Sequence, residues 1–269
     1  MASADLNAHP PDETLTIEDE LAATRGSPSR PLPALVAVLD ALGASVYSRE
    51  EAQEFLDARS QILRLLKNVA ADVFKMNPED FSVFIFNDSI IMVYVRRQPL
   101  TGDDLNGFCG LLRSFEVQFL LKRILFRGAF SFGEVYRVEP GTNTVMGPAI
   151  SDAAAWYERA DWLGIHATPR TSIFIRQVDP DGLRHVLIDY AVPLKGKDKA
   201  KEEMNLKAIN WPKGLMVAQN KDSKLAKAAI HAILGGIRSL PAGSESKYFH
   251  ALEFFDHCAE ATFAKQSQP

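Results

Sequence analysis

The stretch AVLDALGAS, residues 37–45, ends an apolar run with a carboxylate and a turn that contains one glycine. The residues before Asp40 are typical of a buried β-strand. A carboxylate in that place costs free energy unless a hydrogen bond, an arginine or a metal ion satisfies it. A second interpretation is that Asp40 caps the following helix. The turn also places the backbone N–H groups of Gly43, Ala44 and Ser45 ahead of a helix N-terminus, an arrangement that favours anions.

Composition limits the classes of protein to consider. The chain has 269 residues, 46% of them hydrophobic, which is enough for one sizeable core or one domain with an added lobe. A net charge of −4 gives no support for nucleic acid as a partner. Two cysteines, Cys109 and Cys258, make neither a disulfide framework nor a thiolate metal site. With no signal-peptide pattern and no apolar run of about 18 residues, we expect a soluble cytoplasmic protein without a membrane partner.

The pattern of apolar residues predicts the secondary structure. The order is β-α-β-β-α-β-α-β-β, and a tight hairpin at Asn87-Asp88 separates the second and third strands. A hairpin between two helices predicts an α+β ferredoxin-like core, an antiparallel sheet with helices on one face, followed by a C-terminal helical extension. The predicted strands are 34–43, the hairpin 81–95, 125–138, 171–178 and 184–195, and the predicted helices are 48–74, 103–124 and 147–164.

Three segments of the chain differ in composition. Residues 1–33 are polar and rich in proline, and are predicted to be disordered. Residues 34–213 carry the predicted α+β core. Residues 214–269 read as helices and are predicted to form a C-terminal appendage.

Two aspartates are predicted to share one site. Asp40 ends the first strand and Asp88 lies in the hairpin turn, so their strands lie side by side in the predicted sheet. Two carboxylates at close range need a cation, and sites with oxygen ligands only suit Mg²⁺ or Mn²⁺ bound together with substrate phosphates. Taken alone, Asp88 is a common turn residue. Carboxylates for a metal ion beside amides for phosphate point to nucleoside triphosphate chemistry.

The order of motifs resembles that of the class III nucleotidyl cyclases. The family's opening metal motif corresponds to DALGAS, and its second metal aspartate lies in a hairpin that corresponds to FNDSIIMVY. The next strand corresponds to RGAFSFGEV, the following helix to GPAISDAAAWYE, and the late lysine to VPLKGK. Five motifs in register, over residues 35 to about 197, imply the cyclase fold, so residues 34–213 are interpreted as the cyclase domain. Arg127 is interpreted as only beginning a strand.

The departures from the family pattern concern the base and the transition state. The lysine that purine-specific members carry before the hairpin aspartate is Phe84 here, and the second purine-reading position is Thr144. The family's asparagine and arginine for ribose and transition state fall at Ser151 and Ala155. The chain thus lacks the residues that recognise a purine base but keeps both metal aspartates. In this it resembles the pyrimidine cyclases of bacterial Pycsar anti-phage systems, which signal to a separate effector through a cyclic pyrimidine nucleotide.

This resemblance implies further substrate contacts. Tyr47 and Arg97 occupy places that contact the base, and Lys195 aligns with a lysine that binds phosphates. Other interpretations stand beside these: Tyr47 packs against the sheet, Arg97 is solvated next to Arg96, and Lys195 belongs to a solvated run of charges.

The predicted function is a pyrimidine nucleotide cyclase, a phosphorus–oxygen lyase that makes cyclic UMP or cyclic CMP. The resemblance implies two Mg²⁺ or Mn²⁺ ions per site held by Asp40, Asp88 and the Ala41 carbonyl, and a homodimer with its sites at the interface. UTP is favoured over CTP because an arginine donor suits the uracil O4. Two alternatives stay open: a non-catalytic nucleotide-binding or dimerisation module, and a purine cyclase with a rebuilt pocket.

Overall fold

A computed structural model describes residues 31–178, 183, 185–196, 202–220, 222–238 and 241–264. Most of the segment predicted to be disordered, residues 1–30, lies outside the described residues, and its last residues, Leu32 and Pro33, belong to the first strand. Among the helices of the described part, none is long and apolar enough to cross a membrane.

Nine strands and seven α-helices make up the described fold. The strands are β1 (Leu32–Ala41), β2 (Phe81–Phe86), β3 (Ser89–Val95), β4 (Phe126–Val135), β5 (Arg137–Glu139), β6 (Thr144–Met146), β7 (Gly164–Ala167), β8 (Leu187–Leu194) and β9 (Glu202–Ile209). The helices are α1 (Arg49–Asp72), α2 (Gly102–Leu121), α3 (Pro148–Arg159), α4 (Pro169–Val178), α5 (Trp211–Ala218), α6 (Ser223–Gly235) and α7 (Glu245–Ala264).

The main sheet has a ferredoxin-like core. Its seven strands run in the order β2-β3-β1-β4-β7-β9-β8. The first four form the predicted β-α-β-β-α-β unit, with β1 antiparallel to both β3 and β4. The strands β4 and β7 pair in parallel, and the remaining pairs are antiparallel. This arrangement confirms the predicted α+β class.

Helices cover both faces of the sheet, whereas one covered face was predicted. Alternate residues of β1 point to opposite faces. Leu35 and Leu39 join the core under α1 and α2, while Val36 and Val38 pack with Ala153 of α3. Asp40 continues the second set, so its side chain belongs to the face that α3 covers. The sheet therefore presents Asp40 at the rim of a packed layer.

One predicted strand was wrong. Residues 171–178 form most of α4, which begins at Pro169. Thr168 precedes the proline, and its hydroxyl accepts the N–H of Thr171, as an N-cap does. The β-branched residues of this segment favour a strand in isolation, but its buried residues recur at helical spacing. The strands β7 and β9 were not predicted.

The C-terminal helices share a core with the sheet. Helix α5 packs against α2, and α7 packs against α5 and β8. Phe254 of α7 makes an edge-on contact with Trp162 at a ring-centroid distance of 5.0 Å, and Phe254 also meets Trp211. These aromatic contacts fix the middle of α7 against the core beside the sheet.

Candidate functional site

Asp40 lies between two strands that satisfy its carboxylate. It is opposite Ser89 of β3 and Arg127 of β4 in the sheet register, and residues directly opposite in an antiparallel pair share a face. The Ser89 hydroxyl donates to Oδ1 of Asp40 at 3.2 Å. Nε and Nη2 of Arg127 both donate to Oδ2, at 3.1 and 2.9 Å. The question raised by the lone carboxylate is answered by an arginine and a hydroxyl.

Arg127 has a larger role than the sequence interpretation gave it. The side chains of Arg127 and Asp40 are 18% and 16% exposed, so the ion pair is largely shielded from water. The Arg127 guanidinium also lies 5.3 Å from the ring centroid of Tyr157 on α3. Burial raises the pKa of Tyr157, and the Asp40 carboxylate raises it further. The sequence feature that could have indicated this role is the position of Arg127 at the start of the RG strand. In the cyclase order of motifs that strand belongs to the same sheet as the strand ending at Asp40, whose carboxylate needs a partner.

Gly128 allows the strand that carries Arg127 to lie close to β1. A Cβ atom there would come within 2.6 Å of the Leu39 side chain and 2.8 Å of the Val38 carbonyl oxygen. Contacts that short require the strands to separate. A glycine next to Arg127 therefore keeps the guanidinium within reach of Asp40.

Asp88 joins Asp40 at a shared cavity of about 300 Å³. The main-chain oxygen of Asp88 accepts the Ala41 N–H at 3.2 Å, which ties the hairpin turn to the end of β1. The Asp88 carboxylate makes no hydrogen bond or ion pair to any described residue. The predicted convergence of the two strand ends is what the structure shows. The cavity is lined by Asp40, Ala41, Leu42, Gly43, Ala44, Ser45, Asp88, Arg127, Pro241, Ala242, Gly243, Ser244 and Lys247.

The loop after Asp40 lines the cavity but is not part of α1. Gly43 has a φ of 87°, in the left-handed region that glycine favours, and a short 3₁₀ turn follows at Ala44–Val46. Helix α1 begins at Arg49, where Ser48 and Glu51 form a reciprocal capping box. Gly43, Ala44 and Ser45 thus line the cavity from a turn of their own.

Basic side chains line the same cavity as the two aspartates. Arg127 and Lys247 line it. Lys195 is not among the lining residues, but burial lowers its pKa, and the charges of Arg127 and Lys247 lower it further. Arg127 and Lys247 are thus both near enough to Lys195 to act on its charge. One cavity therefore contains two carboxylates and two basic side chains, and one of these pairs, Asp40 with Arg127, is already in contact.

The structure does not bring Tyr47 and Arg97 to this cavity. Tyr47 packs on Phe55 at a ring-centroid distance of 5.9 Å, and its hydroxyl donates to the Leu42 carbonyl at 3.4 Å. It lines a neighbouring cleft of about 400 Å³ that also contains Leu42. Burial raises the pKa of Tyr47 to about 12, with Glu51 and Asp88 adding to the shift. Arg97 is exposed beyond the far end of β3, where Val95 pairs with Ala34.

The four positions that depart from the cyclase pattern are scattered. Phe84 is fully buried in the core under α3. Ser151 and Ala155 are exposed on α3, and Thr144 begins the small hairpin strand β6. None of them lines the Asp40 cavity.

The donor set around Asp40 fits a divalent cation that also has substrate ligands. A carboxylate has about four acceptor sites, of which Arg127 and Ser89 use three on Asp40. Asp88 and the Ala41 carbonyl add further hard oxygen donors. Within the part of the chain that the structure describes, no group of three or more His, Cys, Asp or Glu could hold a metal ion. Phosphate oxygens would have to complete the shell, as Mg²⁺ sites commonly allow.

Comparisons with known proteins return a likeness in fold. No protein-family model and no curated protein matches the sequence. Similar solved structures include the catalytic core of a rhodopsin-guanylyl cyclase with converted specificity in complex with ATPαS, at 14% identity and a TM-score of 0.44 over 67% of this chain and 96% of that chain. The adenylate/guanylate cyclase/hydrolase from Silicibacter pomeroyi matches at 14% identity with a TM-score of 0.43. The match covers 67% of this chain and 98% of that chain.

A third similar structure is the monomeric guanylyl cyclase domain of the RhoGC fusion protein from the aquatic fungus Blastocladiella emersonii. It matches at 14% identity with a TM-score of 0.43, over 68% of this chain and 98% of that chain. At these values the likeness assigns neither a family nor a substrate to this chain.

Proposed function

We propose that the protein is a nucleotidyl cyclase that converts a pyrimidine nucleoside triphosphate, UTP or CTP, to its 3′,5′-cyclic nucleotide and pyrophosphate. The observation that carries the proposal is the convergence of Asp40 and Asp88 on a cavity whose other walls are a backbone turn and basic side chains. Carboxylates and anion-binding groups in one cavity suit a triphosphate that is bound together with cations.

The reaction makes one bond and breaks one. The ribose 3′-oxygen attacks the α-phosphorus, the bond from that phosphorus to the bridging oxygen breaks, and pyrophosphate leaves. The 3′-hydroxyl proton passes to solvent. The chain's own part is to bind and orient the triphosphate, and the 43–45 turn and Arg127 both line the cavity in which it would lie. Fixed donors near developing negative charge stabilise the transition state.

Divalent cations are the cofactors that the proposal implies. Asp40, Asp88 and the Ala41 carbonyl would hold Mg²⁺ or Mn²⁺, which when bound lowers the pKa of the attacking hydroxyl and neutralises charge on the phosphates. A second ion at Asp40 needs Arg127 to move away, because that guanidinium already occupies Oδ2.

The preference for a pyrimidine rests on what the chain lacks for purines. Phe84 and Thr144 supply neither the charged donor nor the acceptor that the resemblance implies for adenine or guanine, and Phe84 is fully buried. By the same resemblance the product would signal in anti-phage defence to a separate effector, and UTP is preferred to CTP.

The proposal includes a homodimer with sites at the interface, as the resemblance implies. Arg97 lies beyond the far end of β3 from the Asp40 cavity. It can therefore take part in base recognition only from a second copy of the chain. Light scattering that gives a monomer with full activity would remove the dimer from the proposal.

Turnover assays test the function directly. Purified protein is incubated with ATP, GTP, CTP or UTP and Mn²⁺, and products are identified by mass. We expect cyclic UMP, or cyclic CMP, with pyrophosphate in equal amount. Cyclic AMP or cyclic GMP as the main product would instead support the purine alternative.

A second candidate function is a non-catalytic nucleotide-binding module that also dimerises. The observation that favours it is the ion pair of Asp40 with Arg127, which already neutralises the first aspartate. Nucleotide binding without cyclic product in the same assay would select this candidate.

A further inference from the structure

The Asp40 cavity has a wall that comes from the C-terminal part of the chain. Pro241, Ala242, Gly243 and Ser244 line it, together with Lys247 in the first turn of α7. These residues lie about two hundred positions after β1, inside the segment that the sequence predicted to be an appendage. The segment therefore contributes surface to the candidate site as well as to the core.

The side chain of Lys247 is held in place by burial and by an ion pair. Its side chain is 9% exposed, and its Nζ lies 3.0 Å from Oδ1 of Asp161. The Ser246 hydroxyl donates to the other oxygen of Asp161 at 2.9 Å. An ammonium group has three donors, so the ion pair with Asp161 leaves donors of Lys247 available to an acceptor in the cavity.

Asp161 keeps its charge in this setting. Burial alone would raise the pKa of Asp161, but hydrogen bonds from Lys247 and Ser246 lower it overall. The charged Asp161 in turn holds Lys247 beside the cavity, which lowers the conformational entropy cost of binding a ligand. Asp161 is thus placed to position Lys247.

The charges of the cavity are complementary to a polyphosphate. Lys247 and Arg127 line it, Lys195 is near both, and Asp40 and Asp88 are the carboxylates available to cations. The position of Lys247 is fixed, since Phe254 and Phe255 further along α7 are buried against Trp211. A fixed, largely desolvated lysine gives a strong charge-assisted bond to a phosphate oxygen.

We propose that the C-terminal segment completes the nucleotide site, with Lys247 binding the terminal phosphates of the triphosphate and Asp161 acting as its positioning residue. This inference rests on the proposed function for the identity of the substrate. It assigns to residues 241–247 a part in binding the group that leaves as pyrophosphate, which the cyclase resemblance, ending near residue 197, does not include.

Binding of inorganic tripolyphosphate, measured by calorimetry without any nucleotide, tests this directly. In Lys247→Met we expect affinity to fall about ten- to a hundredfold, the loss of one hydrogen bond to a charged group. Lys227→Met is the matched control, because Lys227 forms a similar pair with Asp256 on the exposed side of α6 and α7. The control should bind as the wild type does.

Asp161→Asn tests the positioning role separately. Lys247 stays in the chain but loses its fixed partner, so we expect a smaller loss of tripolyphosphate affinity than in Lys247→Met. In turnover with UTP the loss should appear mainly in KM. Wild-type affinity and KM in Asp161→Asn would remove that role.

The variant Lys247→Gln with Asp161→Asn guards against misfolding, because it replaces the ion pair by a neutral pair of similar shape. It should fold and still lose tripolyphosphate binding. Undiminished binding in this double variant or in a folded Lys247→Met protein would overturn the inference, as would a wild-type protein that does not bind tripolyphosphate. Binding that depends on Lys247 in a protein that cyclises no nucleotide would overturn the proposed function alone.

Discussion

Two regions of the molecule hold ionisable groups away from bulk water, and they treat charge differently. Beside the Asp40 cavity two shielded carboxylates have ion-pair partners: Asp40 pairs with Arg127, and Asp161 with Lys247. In the interior near β7, Glu116 is almost completely buried with no partner for its Oε2 atom among the described residues. His166 there is fully buried, and neither ring nitrogen has a described hydrogen-bond partner.

The pKa values follow from that difference. Burial raises the pKa of Glu116 well above its usual value and lowers the pKa of His166 to about 3. His166 is therefore neutral at pH 7, and burial favours the neutral form of Glu116. The space next to Glu116 is about 20 Å³, enough for about one water molecule. Ion pairs therefore lie beside the cavity that is large enough for a ligand, whereas burial in the interior favours the neutral forms of Glu116 and His166.

The largest effect is expected at the two aspartates. Asp40→Ala and Asp88→Ala should each lower UTP or CTP turnover by several orders of magnitude, because cations supply several kcal/mol of charge stabilisation in such reactions. Turnover in excess Mn²⁺ is the measurement. Asp103→Ala, an exposed aspartate at the start of α2, is the control. Near wild-type turnover in either cavity variant would show that the substituted aspartate takes no part in the reaction.

The next effect concerns the ion pair itself. Arg127→Met leaves the Asp40 carboxylate unpaired in a place where both side chains are less than one-fifth exposed. We expect a loss of about 3 kcal/mol in the free energy of unfolding, measured by urea denaturation.

The double variant Asp40→Asn with Arg127→Met should lose less than the sum of the two single variants, since each single variant strands a charge. Strictly additive losses would mean that the two groups do not stabilise each other, and would weaken the contrast with the interior.

A smaller effect is expected for Arg97→Ala, which lies far from the cavity in its own subunit. If it reads the base in a partner's site, its loss should reduce kcat/KM for the preferred nucleotide by roughly ten- to a hundredfold, or about 1–3 kcal/mol. The UTP/CTP ratio should shrink as well. Arg96 cannot serve as the control because it pairs with Asp104, so the exposed Arg64→Ala is used. An unchanged ratio would exclude Arg97 as the base reader.

The smallest effect is expected in the interior. The folded-state pKa of His166 lies below its unfolded value of about 6.5. Its contribution to stability is therefore present above pH 6.5 and is lost as the pH falls towards 3. We expect a loss of roughly 1.4 kcal/mol between pH 6.5 and 5.5 as an upper bound, measured by urea unfolding.

His166→Asn should reduce this dependence on pH, and the same change at His231, which is exposed, should not. An identical dependence in wild type and His166→Asn would mean that His166 does not titrate with unfolding.

The strand-level features of the site were predictable because they depend on local patterns. A buried strand that ends in Asp40 and a tight turn at Asp88 can be read from residue spacing, and the hairpin topology brings the two together. Residues 171–178 were misread, since β-branched residues favour a strand and the N-cap at Thr168 was not weighed against them. The role of Arg127 was missed because a partner 87 positions away leaves no periodic signal.

The sequence by itself determined the α+β class, the ferredoxin-like order of the first four strands, and the meeting of Asp40 with Asp88. All of these follow from hydrophobic periodicity and from hairpin geometry between near neighbours in the chain. Only the tertiary structure decided that Arg127 pairs with Asp40, that Tyr47 packs away from the cavity, and that the segment at Lys247 lines it. These outcomes depend on packing between distant segments, which is set by shape and burial across the whole core and not by any local pattern of residues.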